Sequence, residues 1–415
     1  MKVAIIGGGA AGLMAAATLR ENSPEAEVFL IERNDGLGKK VIISGGGRCN
    51  VTTGLRDVRE VLTKYPRGGK FLSSAMYGFP PAAVYDWFEE HGVPLKTEDD
   101  MRCFPVSDDG HDVVLAFDRL FVHSNVKVLL KTDVAGVRRQ AEGGFVIHFK
   151  TDMAPLAVDK VLLTTGGQAY RQTGSTGDGY AFASSLGHTL TPLAPGLNSF
   201  FTHERWPAEV SGMSFMRATI TAKRGKGTSF TGPFLFTHRG VSGPAVFALS
   251  SLVAYERYDH SVPLEISIDL FPEKNTDVLR LEIESHIVAN PAKILRNVIA
   301  HIIPKSLAEI CVTDAGLPGD TRAIEVSKKD IARCIEWLKG IPLRVIQRGG
   351  GDEFVTAGGV PLTEIDPSTM ESKLCPGLYF AGEIMDVDGF TGGFNLQASW
   401  AAGRRAGESI AESGK

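Results

Sequence analysis

The segment Val3–Ala16, VAIIGGGAAGLMAA, places three glycines between an apolar run and an alanine-rich run. The apolar run predicts a short buried strand, and the alanine-rich run predicts a helix. In the spacing Gly7-x-Gly9-x-x-Gly12, the first glycine permits a tight turn and the second lets a pyrophosphate approach the backbone. The third lets the helix pack against the strand, and the N–H groups of the first helical turn favour phosphate. The segment therefore predicts a dinucleotide-binding turn.

A second strand with an acidic end supports this interpretation. Residues 26–32, AEVFLIE, form an apolar run that ends in Glu32, twenty residues after Gly12. A carboxylate at this point accepts hydrogen bonds from the ribose hydroxyls of a dinucleotide. The alternative is a generic strand–turn–helix unit with an incidental surface glutamate. The pattern favours an adenine dinucleotide and leaves NAD and FAD open.

A second glycine run follows directly, in GLGKKVIISGGGRCNVTT at residues 36–53. NAD does not require it, whereas a ligand that extends past the pyrophosphate does. Lys39, Lys40 and Arg48 would place cations near the phosphates. The alternative is a flexible surface loop with solvated lysines.

The C-terminal region carries a third signal. GLYFAGE at residues 377–383 predicts a strand that ends in Glu383, where an acidic side chain binds the ribityl chain in FAD enzymes of this type. GFTGGFN at residues 389–395 then leads into a helix predicted over 396–412. N–H groups at such a helix N-terminus stabilise negative charge on reduced flavin. A separate NAD domain would not need this return segment, so FAD is favoured.

The middle of the first half alternates strands and turns over residues 126–167, as a β-meander does. Val134 is a candidate for a main-chain contact to adenine, and the strand 160–167 ends in glycines. Residues 80–121 predict a helix, a hairpin and a helix beside the flavin site. The complete set of predicted cofactor-binding residues is Gly7, Gly9, Ala10, Ala11, Gly12, Glu32, Arg33, Lys39, Lys40, Ser44, Gly45, Gly46, Gly47, Arg48, Cys49, Asn50, Val134, Thr165, Gly166, Gly167, Gly382, Glu383, Asp386, Gly392, Gly393, Phe394 and Asn395.

Few residues are needed for chemistry, because flavin itself accepts and gives hydride. His238 follows an apolar strand and precedes a glycine turn, so it is either a proton donor or a hydrogen-bonded structural histidine. Arg48 and Asn50 lie on the glycine loop, and Arg48 would bind a phosphate or a substrate carboxylate. These three residues are the catalytic candidates. Cys49 is either a redox thiol or a small buried residue.

Other residues of the glycine loops have two interpretations each. Asp386 and Asp388 would cap the following turn, orient Arg48 or contact flavin, and capping is favoured. Tyr170 and Arg171 either line the substrate pocket or lie on the surface.

Composition excludes several classes of protein. The chain has 415 residues, 44 basic and 48 acidic, with a net charge of −4, so neither nucleic acid nor an anionic membrane is the expected partner. No apolar run reaches the roughly 18 residues of a membrane span, and the N-terminal run is too short for a signal peptide. The five cysteines are scattered without a CxxC pair, which predicts no metal site, no disulfide framework and a cytoplasmic location.

Five long motifs resemble one known family. They are ISGGGRCNVTT, TGSTGDGYAFASSLGHT, LFTHRGVSGPAV, FVTAGGV and TMESKLCPGLYFAGEIMDVDGFTGGFNLQ. The sequence is similar over nearly its whole length to the aminoacetone oxidase-like FAD-binding flavoproteins, often labelled NAD(FAD)-utilising dehydrogenases, which include enzymes linked to bile acid reduction. Two positions near the expected pocket depart from the pattern: Phe394 stands where many relatives have tyrosine, and Arg239 where an aromatic residue is common.

The resemblance implies an α/β fold with a two-dinucleotide-fold (Rossmann-like) FAD domain, interrupted by a β-barrel-like domain and a small helical subdomain. We place the first part of the FAD domain at residues 1–189, the β-rich substrate domain at 190–271 and 341–355, the helical subdomain at 272–340, and the return segment at 356–415.

The sequence therefore predicts an FAD-dependent oxidoreductase that acts on a small or mid-sized organic molecule, by C=C reduction or amine oxidation. Reductase and oxidase stay open. No second GxGxxG marks a nicotinamide domain, so NAD(P)H would bind only transiently over the flavin. An RNA-modifying flavoprotein is one alternative, although the acidic balance argues against it. A non-catalytic redox sensor is the other.

Overall fold

In a computed structural model, the described residues are 1–223, 227–349 and 354–414. The chain divides into two compact units, Met1–Pro195 with Glu353–Lys415, and Gly196–Asp352. Residues 224–226, within the segment predicted as β-rich at 190–271, and residues 350–353, within its second part at 341–355, lie outside the described residues.

The secondary structure alternates strands and helices along most of the chain. The strands are β1 (Lys2–Ile6), β2 (Glu27–Ile31), β3 (Thr52–Thr53), β4 (Leu95–Thr97), β5 (Arg102–Pro105), β6 (Val126–Leu129), β7 (Val134–Arg139), β8 (Phe145–Phe149), β9 (Leu156–Val158), β10 (Lys160–Leu163), β11 (Ala194–Gly196), β12 (Phe200–Thr202), β13 (Ser214–Ala222), β14 (Thr228–Thr237), β15 (Gly240–Ser242), β16 (Leu264–Asp269), β17 (Ile341–Arg348), β18 (Val355–Ala357) and β19 (Leu378–Phe380). The helices are α1 (Ala10–Asn22), α2 (Lys39–Ile43), α3 (Val58–Leu62), α4 (Ser73–Gly78), α5 (Pro81–Glu90), α6 (His111–Phe121), α7 (Asp178–Ser185), α8 (Pro244–Leu252), α9 (Thr276–Ala289), α10 (Leu295–Ile299), α11 (Lys305–Asp314), α12 (Lys328–Lys339) and α13 (Phe394–Ser413).

The first unit is built on a five-stranded sheet in the order β19-β10-β1-β2-β6, and every neighbouring pair is parallel. Its inner strands are apolar and buried, as expected for a parallel sheet covered on both faces. The predicted unit β1–α1–β2 is confirmed. Within the meander predicted over residues 126–167, β7, β8 and β9 form an antiparallel sheet as expected, whereas β6 and β10 belong to the five-stranded parallel sheet. The carboxyl ends of β1, β2, β10 and β19 therefore gather at one edge of the sheet, where ligands of open α/β folds bind.

Helix α13 packs along α1 and holds the C-terminal segment against the dinucleotide turn. Gly403 and Gly407, one helical turn apart, face α1. A Cβ atom at Gly403 would overlap the carbonyl oxygen of Ala11, and one at Gly407 would lie 2.9 Å from that of Ala15. The helix begins at Phe394, two residues before the predicted start, and ends at Ser413, one residue after the predicted end.

The second unit is a closed six-stranded barrel in the order β12-β15-β14-β13-β16-β17, and its core is shared with helices α9 to α12. The predicted barrel and helices are confirmed. The segment predicted as β-rich at 190–271 also contains a helix, α8 at Pro244–Leu252, which was not predicted. A short apolar run has the same appearance in a buried strand and in a buried helix. Gly243 and Pro244 are typical of a helix start, and they are the sequence signal that favours a helix here.

A buried polar triad anchors the segment before β19. His188 contacts Glu364 through Nδ1 and Ser372 through Nε2, both at 2.8 Å. Burial lowers the pKa of His188, although the Glu364 carboxylate opposes this. The Ser372 hydroxyl oxygen also accepts the N–H groups of Leu374 and Cys375 at 3.1 and 2.8 Å, so its lone pairs are engaged. The triad therefore serves as a structural clamp.

None of the helices within the described ranges has the length and apolarity needed to cross a membrane.

Candidate functional site

The turn between β1 and α1 has the geometry of a phosphate cradle. Gly7 has φ +114°, and a Cβ atom there would lie 2.5 Å from the carbonyl oxygen of Thr164. A Cβ atom at Gly12 would overlap the carbonyl oxygen of Gly7. In contrast, a Cβ atom at Gly9 would meet no atom of the described residues within 4 Å, and no side chain among them caps the helix that begins after Gly9. The N–H groups of the first turn of α1 thus face open space, where an anion fits.

Glu32 lies beside this turn, at the end of β2, and is only 8% exposed. Its Oε2 accepts the N–H of Gly8 at 2.8 Å, and its Oε1 accepts the N–H and the side-chain amide of Asn34 at 2.8 and 2.7 Å. The N–H of Thr132 donates to the carbonyl oxygen of Glu32 at 3.0 Å, which brings the start of β7 and Val134 close to this carboxylate. The structure therefore places the two predicted contacts to adenosine side by side.

A second cluster joins the ends of β10, β18 and β19. Lys40 Nζ lies 2.8 Å from Glu383 Oε2, and the N–H of Thr356 donates to Glu383 Oε1 at 2.6 Å. A Cβ atom at Gly167 would lie 3.0 Å from Glu383 Oε1, and one at Gly166 would lie 3.9 Å from Lys40 Nζ. Four predicted site residues from three distant segments thus meet at one point. Glu383 lies three residues beyond the end of β19 and not at the end of the strand itself.

Strand β3, which follows the glycine loop at 44–50, meets the start of α13. Gly393 has φ +87°, and a Cβ atom there would overlap the carbonyl oxygen of Thr52 in β3. No side chain among the described residues caps α13, so its first N–H groups stay available. Asn50, two residues before Thr52, has a buried Oδ1 without a hydrogen-bond partner among the described residues. The end of the glycine loop and the start of the C-terminal helix therefore lie in the same part of the first unit.

The return loop between β19 and α13 is closed by its own side chains. Asn395 exchanges two hydrogen bonds of 2.8 Å with the backbone of Gly389. Asp388 is completely buried and pairs with Arg67, so the interpretation that it orients Arg48 is wrong. A completely buried carboxylate requires a cation beside it, and the cation that pairs with Asp388 is Arg67. Asp386 keeps one buried carboxylate oxygen, Oδ1, without a hydrogen-bond partner among the described residues.

The predicted cations differ in how they are engaged. Arg33 contacts Asp133 and Asp178. Burial alone would lower its pKa, but these two carboxylates raise it. Arg48 pairs with Glu98 and with Asp108 and stacks on a phenylalanine ring. Both guanidinium groups therefore pair with carboxylates away from Glu383. Of the predicted cations, Lys40 is the one that pairs with Glu383. Lys39 pairs with the exposed Asp35 at 2.7 Å.

Cys49 is completely buried, and burial raises the pKa of its thiol to about 12. Its φ of +58° is unusual for a residue other than glycine and turns the chain toward Asn50. A protonated thiol without access to solvent favours the small buried residue over the redox thiol. Ser44 donates its hydroxyl to the carbonyl oxygen of Val41 at 2.7 Å.

Phe394 is a buried residue of the first unit, whereas His238 and Arg239 are exposed residues of the second unit. Phe394 is buried against Tyr65, whose hydroxyl donates to the Phe394 carbonyl oxygen at 2.7 Å, so this departure from the family pattern fills the core. His238 and Arg239 form the exposed turn between β14 and β15 in the second unit, and Arg239 lies over the ring of Phe201.

Sequence analysis missed the side chains that join these segments. Thr356 accepts the N–H groups of Gln168 and Ala169 with its hydroxyl and donates its own N–H to Glu383. Gln397 accepts the Thr52 hydroxyl at 2.6 Å and fixes α13 to β3. Both residues lie within the family motifs, Thr356 in FVTAGGV and Gln397 at the end of the C-terminal motif, but the sequence did not indicate which side chains they would contact.

The residues present fit FAD. The open turn at Gly9 suits a pyrophosphate, Glu32 suits a ribose, and the uncapped start of α13 suits a flavin ring that gains negative charge. Three buried polar atoms without partners among the described residues, Asn50 Oδ1, Thr165 Oγ1 and Asp386 Oδ1, are consistent with a bound polar ligand. When bound, the flavin supplies the transfer of a hydride.

Comparison with known proteins agrees with this geometry. Residues 1–409 match the HI0933-like protein Rossmann domain family. The chain belongs to this family of FAD-binding oxidoreductases. This protein is 30% identical to a 3-dehydro-bile acid Δ4,6-reductase of Clostridium scindens, over 99% of both chains. It is also 30% identical to a ribosomal RNA dihydrouridine synthase of Escherichia coli, over 96% of this chain and 95% of the other.

Solved structures share the fold of this HI0933-like chain. The 3-ketosteroid Δ4-(5α)-dehydrogenase of Rhodococcus jostii RHA1 has a TM-score of 0.51 at 16% identity, over 99% of this chain and 96% of that chain. The predicted flavoprotein family is thus confirmed at the level of FAD-binding oxidoreductases. Aminoacetone oxidation stays a prediction.

Proposed function

We propose that the chain reduces a C=C bond conjugated to a ring carbonyl. The observation that carries this proposal is the pair of relatives at 30% identity over nearly their full lengths, whose names describe this same change in different molecules. A 3-oxo Δ4,6 bile acid carries such a bond, and dihydrouridine is uridine with its ring C=C bond reduced. The common chemistry is the addition of a hydride and a proton to an electron-poor C=C bond.

The first unit offers the groups that would support the flavin in this reaction, and the proton donor is assigned separately, to a residue of the second unit. The uncapped start of α13 stabilises negative charge, and Glu383 with Lys40 fixes a polar chain beside it. Asn50 offers an amide oxygen to the same region. We assign the proton donor to His238. We keep Arg48 as a residue that orients the substrate or the loop, because its two carboxylate partners fix the 44–50 segment.

We assign NAD(P)H as the electron donor, bound transiently. The net reaction oxidises NAD(P)H to NAD(P)+ and adds its hydride and one proton across the C=C bond. Only one GxGxxG turn is present in the sequence, at Gly7–Gly12, and its surroundings fit FAD. A donor without its own domain must bind and leave within each turnover.

The test is an anaerobic titration of the purified flavoprotein with NADH and then NADPH, followed by flavin absorbance. Bleaching by either donor, and recovery of absorbance on adding 4-androstene-3,17-dione or uridine-containing ribosomal RNA, supports the proposal. Bleaching that neither acceptor reverses contradicts C=C reduction. If only an amine such as aminoacetone bleaches the flavin, amine oxidation replaces the proposal.

We predict that His238→Gln separates the two half-reactions. Glutamine keeps the size and polarity of the side chain but has no proton to give at neutral pH. Bleaching by NAD(P)H should therefore keep its wild-type rate, while recovery with the acceptor should slow roughly 10²- to 10⁴-fold. Stopped-flow absorbance measures both. Equal recovery rates in the two proteins would return His238 to a structural role.

An RNA substrate is the second candidate, because the Escherichia coli relative is as similar in sequence as the bile acid enzyme. The net charge of −4 weighs against extensive phosphate contacts. Acceptor activity with ribosomal RNA that falls steeply as salt rises, without activity on the steroid, would favour this candidate.

We also propose a reducing compartment, the cytoplasm. All five cysteines are buried and none forms a disulfide.

A further inference from the structure

We propose that Tyr170 is a specificity-determining residue whose ring, together with Phe354, binds the flat ring of the substrate. Tyr170 and Phe354 form an aromatic pair with ring centroids 6.0 Å apart and an interplanar angle of 37°. Both belong to the first unit, and this inference rests on the proposed function.

The backbone holds Tyr170 in an unusual conformation. Its φ and ψ are +56° and +54°, in the left-handed region that residues other than glycine rarely adopt. The following turn fixes it, because the Tyr170 carbonyl oxygen accepts the N–H and the hydroxyl of Thr173 at 2.8 and 2.7 Å. Conformations of this kind persist where the surroundings determine them, and they are concentrated at ligand sites.

The preceding residues tie Tyr170 to the cofactor cluster. The N–H groups of Gln168 and Ala169 donate to the Thr356 hydroxyl at 2.7 and 3.1 Å. Thr356 in turn donates its N–H to Glu383, which pairs with Lys40. Ala169, which directly precedes Tyr170, is therefore hydrogen-bonded to Thr356, and Thr356 is hydrogen-bonded to Glu383, the predicted ribityl-binding carboxylate.

The aromatic pair also has an accessible face. Phe354 is 40% exposed, and Tyr170 is half-buried. Core phenylalanines of this protein are almost completely buried, whereas Phe354 leaves part of its ring exposed beside Tyr170. A planar conjugated ring stacks on such side chains without requiring a specific hydrogen-bonding pattern. Such a pair would suit either a steroid ring or a uracil ring.

The experiment measures binding to the oxidised, FAD-loaded protein, so it does not depend on turnover. 4-Androstene-3,17-dione and uridine 5′-monophosphate are titrated separately, and the change in flavin absorbance gives each dissociation constant. We expect wild type to bind at least one probe, Tyr170→Leu to bind it about tenfold or more weakly, and Tyr170→Phe to stay within about twofold.

Phe354→Leu is a second variant, should Tyr170→Leu fail to fold, and a smaller loss of about threefold is expected because only half of the aromatic pair is removed. Tyr77→Leu, a change at an exposed tyrosine of α4, is the matched control and should leave binding unchanged. If the leucine variants bind as tightly as wild type, or if wild type binds neither probe, the inference is overturned. Binding lost in Tyr170→Leu while wild type reduces no enone would support the inference and refute the proposed function.

Discussion

Replacing Gly9 with valine should give a folded protein that contains no FAD. Gly9 has an extended backbone, with φ −83° and ψ −171°, which valine adopts readily. A Cβ atom at Gly9 meets nothing within 4 Å, so the side chain has room in the protein. That same room is where the pyrophosphate must lie if the turn binds a dinucleotide. The flavin-to-protein absorbance ratio of the purified variant, with circular dichroism to check folding, measures the effect.

Gly136→Val is the matched control. Gly136 lies within β7, where a Cβ atom also meets nothing within 4 Å and valine suits the strand. This variant should retain wild-type flavin. A Gly9→Val protein with full flavin content would show that the cofactor does not use the first turn of α1. A Gly9→Val protein that also lost its secondary structure would show instead that the open space is needed for folding.

The parts of the site that lie within one segment could be predicted from the sequence. The strand, turn and helix around Gly7–Gly12 depend on local preferences and on a fixed spacing, and the structure contains them with the predicted bounds. The same holds for Glu32, because a strand of known length determines where its carboxyl end lies. Sequence patterns within some twenty residues are therefore sufficient where geometry is regular.

Pairings between distant segments could not be predicted in this way. Lys40 and Glu383 are separated by 343 positions, and only the order of strands in the sheet brings them together. Arg48 and Arg67 are equally plausible partners for Asp388 in the sequence, and the fold selects Arg67. Thr356 joins Ala169 to Glu383, although the motif FVTAGGV did not indicate these contacts. Such contacts follow from tertiary packing, which a single sequence does not encode in any fixed spacing.

Replacing Glu32 with alanine should weaken FAD retention by at least about tenfold while leaving the fold intact. The carboxylate that Gly8 and Asn34 contact is also the acceptor expected for the ribose hydroxyls. A hydrogen bond to a charged group contributes about 1.5–3 kcal/mol, and about 1.4 kcal/mol is a factor of ten in affinity. Losing even one such bond, and the order that Glu32 imposes on the N–H of Gly8, accounts for this magnitude. Dialysis against flavin-free buffer followed by FAD titration measures the dissociation constant.

Two further variants make this result specific to the position of the carboxylate. Glu32→Gln keeps an oxygen that can accept the Gly8 N–H but carries no charge, so its affinity should fall between those of wild type and Glu32→Ala. Asp35→Ala removes a nearby carboxylate that is 64% exposed and pairs with Lys39, so it should retain full flavin content. If Glu32→Ala kept wild-type affinity, or if Asp35→Ala lost as much, the adenosine end of the cofactor would not lie at the end of β2.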